Sequence, residues 1–436
     1  MATRQRDEED DETQLDDDPK GAGKKKRWVG SPMFPAPSSA DGKPKKGEWA
    51  WIDEGVEPGY IRVSKSFDGR KKVCDFHLDP FTFTIDHIRK HWGRGTYIVE
   101  LVSTADAGNN RRIFQRTINI EDGASDNPTF AEKAKKLLER DKVAAIVGCY
   151  TSASRKAVLP TLNQNKGLLY YPTYYEGQEQ DKQVIYPSQE ATQSVIAAIE
   201  WMAKQQGKTF FLVGSDYIWP RTSNKIARKH IENVIKGEVV GEEYYPLGNT
   251  QFGSLINKIK LKKPDVVFVD VVGGSTVAFF KQLKAAGVTG KTQVVLTLSV
   301  TEDEMLGVGG ENAEGFYSSM KYFQSLDNAN NKKFVEAFKA KYGANAVIGD
   351  VTQAGYLGPW LWKAAVEKAG SFDIDKVVAA SPGIELKTAP EGYVKLHENH
   401  HLWSKTRIGQ IQKNGQFKLI YESGLIEPNP FPKGYQ

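Results

Sequence analysis

Residues 121–436 predict an α/β fold with parallel sheets, and residues 1–120 do not share that pattern. Three observations carry this reading. After residue 120, apolar runs of strand length alternate with helix-compatible segments, the order that a parallel sheet covered by helices requires. Five of those runs end in corners rich in hydroxyl and aromatic side chains, the place where open parallel sheets bind ligands. Before residue 121 the chain is instead charged and proline-rich, and then turns into short strands.

In chain order, residues 1–48 combine an acidic block from Asp7 to Asp18, the basic run Lys24–Arg27 and a Pro/Ser/Gly stretch from Ser31 to Gly47. Low hydrophobicity with segregated charge cannot offset the entropy of ordering, so a disordered tail is expected. Residues 56–120 read as a small ββαββ module. Its strands are Tyr60–Ser66, Lys71–His77, Thr96–Ser103 and Arg112–Ile120, with Asp68-Gly69 as a hairpin turn and a helix from Thr84 to His91 that ends at Gly93. His87 and His91 are four residues apart and His77 lies in the same module, but no third ligand follows at metal spacing. Surface histidines are the expected reading.

The first decorated corner follows the run Val143–Val147, where Gly148-Cys-Tyr-Thr-Ser-Ala-Ser154 passes into the helix-compatible Arg155–Pro160. Free N–H groups of a first helical turn, with the hydroxyls of Thr151, Ser152 and Ser154, suit a carbonyl or carboxylate oxygen. Plain N-capping is the commoner use of such residues. Four further runs repeat the form: Leu168–Tyr171 into PTYYEG, Phe210–Gly214 into SDYIWPR, Val266–Val269 into DVVGGS, and Val294–Leu298 into SVTEDE. Five such corners imply one lined cleft.

The segments GCYTSASRKAVLP, YYPTYYEG, GSDYIWPRTSNKIA, VVGGSTVAFFKQLKAAG and NKKFVEAFKAKYG, and the ending LIEPNPFPKGYQ, resemble the substrate-binding proteins of urea and short-chain amide ABC transporters. Those are two-lobed periplasmic binding proteins of type I, the leucine/isoleucine/valine-receptor kind, and a cytoplasmic amide-sensing regulator shares the scaffold. The resemblance covers about residues 120–436, and YYPTYYEG and GSDYIWPR look more like the amide branch than the urea branch. It implies two Rossmann-like lobes joined by a hinge, lobe one from 121–190 and 321–384, lobe two from 191–320 and 385–436. It also implies capture of a small amide or urea between the lobes, docking on ABC permease subunits, and no enzymatic step. Relatives begin with a strand, a ligand-contacting loop and a long helix before the segment equivalent to Glu121–Asp126, and these are missing here. Gly95–Ser103 is the candidate to replace the strand.

Residue by residue, the resemblance implies that Ser152 and the backbone around it, including Thr151, hydrogen-bond the ligand. Tyr150 walls the pocket, Thr173 offers a hydroxyl from the opposite corner, and Tyr217 and Trp219 close over the ligand as flat lids. Tyr175, Glu176 and Gly273 are expected behind the pocket or at its rim. A ligand this small has little area to bury, so selectivity must come from satisfying its N–H and C=O groups in a dry pocket.

Other chemistry is excluded or disfavoured. A net charge of +5, from 59 basic and 54 acidic residues, is too balanced to indicate nucleic acid. No run of about 18 apolar residues is present, so no membrane span is expected. The two cysteines, Cys74 and Cys149, suggest neither a disulfide framework nor a metal site. His397-Glu-Asn-His-His401 matches H-E-x-x-H, but it lies between strand-like segments and a zinc protease needs it on a helix. No P-loop, dinucleotide fingerprint or nucleophile triad stands out, so no cofactor is expected. The acidic amino terminus does not read as a signal peptide, whereas the resemblance points to the periplasm. A cytoplasmic amide sensor, or a fusion using the receptor scaffold structurally, is therefore the competing expectation.

Overall fold

The computed structural model describes residues 59–67, 70–76, 95–103 and 111–435. It divides into two compact units after Ile120. The expected tail, the Thr84–His91 helix and the histidines His77, His87 and His91 lie outside the described residues.

The first unit holds four strands, β1 (Gly59–Phe67), β2 (Arg70–Phe76), β3 (Gly95–Ser103) and β4 (Arg111–Ile120). They form one antiparallel sheet in the order β2-β1-β3-β4. The four expected strands are all present, shifted by a residue at most ends. One expectation is corrected here. β3 carries β1 on one edge and β4 on the other, so Gly95–Ser103 belongs to this sheet and not to the parallel lobe-one sheet it was a candidate to join.

The second unit is two-lobed and α/β. Its first lobe opens with helix α1 (Asn127–Lys135), whose amino end is capped by Asp126 accepting from Thr129 N. There follow β5 (Ile146–Val147), α2 (Ser152–Gln164), β6 (Leu169–Tyr170) and β7 (Val184–Ile185), and the three strands make a parallel sheet in the order β5-β6-β7. The second lobe runs through α3 (Ala197–Gln205), β8 (Thr209–Ser215), α4 (Ile218–His230), β9 (Glu238–Tyr245), α5 (Gly253–Lys262), β10 (Val266–Asp270), α6 (Gly274–Ala285), β11 (Val294–Thr297), α7 (Glu302–Val308), α8 (Gly310–Ala313) and β12 (Tyr317–Met320). The chain then returns to lobe one with α9 (Ala329–Tyr342), α10 (Asp350–Ala369) and α11 (Ile374–Ala380), and ends in β13 (Glu385–Leu386), β14 (Val394–Leu396), β15 (Leu402–Ile411) and β16 (Phe417–Ile426).

β9, β8, β10, β11 and β12 are parallel neighbours, and β15 joins β12 antiparallel with β16 and β14 beside it. β8 and β10 are buried along almost their whole length, which is why they read as continuous Val/Phe/Leu runs and not as alternating ones. The lobe boundary departs from the expected one at residue 385. Ile384, Val394, Leu396 and Leu402 pack in one core with Leu168, Tyr170 and Ile185 of the lobe-one sheet and Leu357 and Leu361 of α10. Their apolar side chains need that core, so the chain leaves lobe one within β15 and not before β13.

Three chain segments cross between the lobes, near Tyr186–Glu190, Lys321–Gln324 and Trp403–Arg407, and buried polar groups bind them to one another. Asp350 accepts from Tyr322 N at 3.0 Å and from Ser188 Oγ at 3.3 Å. Gln189 Nε2 donates to Thr406 Oγ1 at 3.1 Å, and buried Lys321 pairs with Glu391 at 2.5 Å. A tail after β16 straps the junction: Asn429 O accepts from Thr192 Oγ1 at 2.8 Å, and Pro430 O accepts from Gln178 N at 2.7 Å.

These buried acids fix a pH dependence. Burial lifts the Glu302 carboxyl to about 8 and the Glu190 carboxyl to about 7, against the backbone N–H groups that favour their charge. The folded chain therefore holds protons that the unfolded chain releases above the ordinary carboxylate range. Stability from these two groups is complete below that range and is lost as pH rises through 7 to 8. His401, lowered to about 3 by burial, acts oppositely and contributes stability that is lost as pH falls through the ordinary histidine range. Tm is expected to fall between pH 6.5 and pH 9, and Glu302→Gln to flatten that limb; a limb of unchanged slope in the variant would remove Glu302 from the account.

Candidate functional site

The corner after β5 is built by a helix start. Thr151 caps α2 by accepting from Ser154 N at 3.0 Å, which places Ser152 at the first helical position. Cys149 just before it has φ 61°, a left-handed conformation uncommon for a residue with a side chain and one that turns the chain sharply. Across the cleft, β8 ends at Ser215. Asp216 N donates to Tyr245 O at 2.7 Å and the Asp216 carboxylate takes Arg221 at 2.6 Å, which sets the turn that presents Tyr217 and Trp219.

Tyr150, Ser152, Tyr171, Thr173, Tyr174, Tyr217, Trp219 and Val272 line one cavity of about 10 Å³ between these corners. A space of this size is room for about one water-sized body. Trp219 is 3% exposed, with its ring centroid 5.3 Å from Tyr174 and 6.3 Å from Tyr217, so rings from both lobes meet over the cavity. Tyr150 stands at the rim, 47% exposed, and its carbonyl accepts from the Tyr171 hydroxyl at 2.8 Å. Burial raises the tyrosine hydroxyls of Tyr171, Tyr174 and Tyr217, which keeps them protonated donors.

Five expected residues thus meet at one place: Tyr150, Ser152, Thr173, Tyr217 and Trp219. Four do not stand on the wall. Thr151 is occupied as the α2 cap. Tyr175 turns away into lobe one, where its hydroxyl donates to Glu179 O and its ring stacks on Tyr186. Glu176 lies behind the wall and accepts the Ser152 hydroxyl at 2.5 Å. Gly273 has φ 65° and caps α6, where a left-handed start needs glycine, and its neighbour Val272 reaches the cavity instead.

Beneath the wall sits fully buried Arg155. Its Nε donates to Glu179 at 2.7 Å, its Nη2 reaches Glu176 at 3.4 Å, and its guanidinium lies 4.6 and 4.4 Å from the Tyr171 and Tyr175 ring centroids. Burial alone would raise the Glu179 carboxyl, but Arg155 and Lys156 hold it below its usual range. The cation is consumed by its own carboxylates, so the cavity wall itself is uncharged. Thr173 Oγ1 differs from Ser152 Oγ in being buried with no protein partner. Asp270 and Asn224, both fully buried in lobe two, likewise have side-chain polar atoms without partners. Sequence patterning gave no sign of Arg155, Tyr171 or Tyr174 in these roles, although all three sit within the corner motifs.

His397–His401 lies in the turn between β14 and β15, where His397 N donates to His401 O, so the H-E-x-x-H match is not helical. Among the described residues no group of three His, Cys, Asp or Glu side chains is placed to hold a metal, and no helix is long and apolar enough to cross a membrane.

Residues 102–436 match the family model described as a periplasmic binding protein domain. The chain belongs to this family. The binding protein is 26% identical over 290 residues to Leu/Ile/Val-binding protein homolog 6 of Brucella melitensis, a match covering 64% of this chain and 73% of that one. A limonene hydroxylase of Geobacillus stearothermophilus is 36% identical over 118 residues, but the match spans only 27% of this chain and 21% of the hydroxylase. Among solved structures, a solute-binding protein of an ABC transporter from Rhodopseudomonas palustris BisB5, in complex with 3,4-dihydroxy benzoic acid, has 25% identity and a TM-score of 0.63. That likeness covers 70% of this chain and 86% of the other.

Proposed function

We propose that this binding protein is the non-enzymatic solute receptor of an ABC importer, and that its cargo is a short-chain amide or urea held between the lobes. The observation that carries the reading is the uncharged lining of the cavity, which must widen to admit such a molecule. Its lining offers hydroxyls and aromatic faces but no cation or carboxylate. A carboxylate such as the ligand of the Rhodopseudomonas relative, or an amino-acid zwitterion, would lose its hydration there without gaining a counter-charge. A neutral amide has C=O and N–H groups that Thr173 Oγ1, Tyr hydroxyls and the α2 amino end can satisfy. Closure over this cargo would present the surface read by the permease.

Calorimetric titration of the full chain with acetamide, formamide, propionamide and urea, against leucine and 3,4-dihydroxybenzoate, tests the cargo. Saturable binding of one neutral compound is expected. Binding of only the charged compounds would sink the assignment.

Thr173→Val removes a hydroxyl that has no partner in the protein. Loss of a hydrogen bond to a buried ligand costs about 1–3 kcal/mol, about five- to 150-fold in Kd, while the fold loses no bond. The variant is expected to keep its Tm and bind the amide weakly; an unchanged Kd in titration would place Thr173 outside the contact set.

A further inference from the structure

We propose that Asp303, which is not among the residues lining the cavity, is the latch that holds the two lobes closed, by capping the amino end of α10 from the other lobe. The inference rests on the receptor reading for its effect on ligand, but not for its geometry.

Asp303 follows β11 in lobe two, in the first turn of α7. α10 belongs to lobe one, since its Leu357 and Leu361 pack on Leu168, Tyr170 and Ile185. The cap position of α10 is Gly349, which has no side chain to satisfy the free N–H groups of the helix start. Asp303 Oδ2 takes that role from the other lobe, accepting from Gly349 N at 3.0 Å and from Thr352 Oγ1 at 2.9 Å. Thr352 is the third helical residue, so a single carboxylate oxygen bridges the two positions that a capping box joins within one helix. The amino end of α10 also carries the positive end of a 20-residue helix dipole, which favours an anion there.

Gly349 is required for this approach. A Cβ at residue 349 would overlap both Thr301 Oγ1 and Asp303 Oδ2. The contact is therefore a close, directional seam between lobes, made beside the hinge. On the latch reading, parting of the lobes at this seam breaks both hydrogen bonds. Asp303 is a positioning residue: it acts on ligand affinity through the closed state.

The test uses the full chain, with Asp303→Ala and Asp303→Asn. Asparagine keeps an acceptor oxygen and is a good helix cap, whereas alanine is not. Small-angle scattering of the ligand-free protein reads closure directly, and titration with acetamide and urea reads affinity. The alanine variant is expected to show a larger radius of gyration and about five- to tenfold weaker binding, from the usual size of a lost cap, with Asp303→Asn restoring most of both. Equal radii in the wild type and the alanine variant would overturn the latch. If the wild type binds neither compound, the cargo assignment fails, and scattering alone decides the latch.

Discussion

An Arg155→Met chain is expected to lose roughly 3–5 kcal/mol of stability, the usual result of removing one partner from a buried ion pair. Glu176 would be left at 2% side-chain exposure with no cation, and Glu179, at 10%, with Lys156 alone. Two aromatic faces would also lose the guanidinium between them. The second consequence is at the site. Glu176 holds the Ser152 hydroxyl, so displacement of that carboxylate releases a wall residue as well. Guanidinium chloride denaturation measures the first effect and calorimetry the second. The companion chain Arg155→Met with Glu176→Gln and Glu179→Gln should recover much of the stability, because no buried charge is left unpaired. A single variant that unfolds at the wild-type midpoint would show that the carboxylates do not depend on Arg155.

Trp219→Ala is expected to be equally severe, about 3–5 kcal/mol from a large aromatic truncated in a packed setting. Trp219 is almost fully buried against Tyr174 and Tyr217, and the Tyr174 contact spans the two lobes. The alanine variant opens the roof of the cavity to water, and a small polar ligand that relies on a dry pocket should no longer be retained. Trp219→Phe keeps an apolar roof and is expected to bind more weakly while melting close to the wild type. Undiminished affinity in the alanine variant would mean the ligand sits elsewhere.

The parallel sheets were legible in the sequence because strands buried on both faces leave unbroken Val/Phe/Leu runs, as at β8 and β10, whereas the division into two lobes was implied by the family resemblance. Strand-end position marked the corners of a cleft, and the resemblance, not the pattern, singled out Tyr150, Ser152, Thr173, Tyr217 and Trp219, which line one cavity here. Adjacent side chains in an irregular segment face opposite ways, so sequence position alone does not separate Tyr174 on the wall from Tyr175 behind it. The role of Arg155 was hidden because its partners come 21 and 24 residues later. The Asp303 contact joins residues 46 and 49 apart, beyond any local pattern.

The strap and crossings at the hinge join residues far apart along the chain, 217 positions for Gln189 and Thr406 and 237 for Thr192 and Asn429. Contacts of such separation must close large loops before they contribute anything, so they form late in folding. Each lobe can gather its apolar strands before β15 and the strap arrive. Competence to retain a ligand is then the last property the molecule acquires during folding, and a slow refolding phase should be visible in ligand retention after the core signals have already recovered.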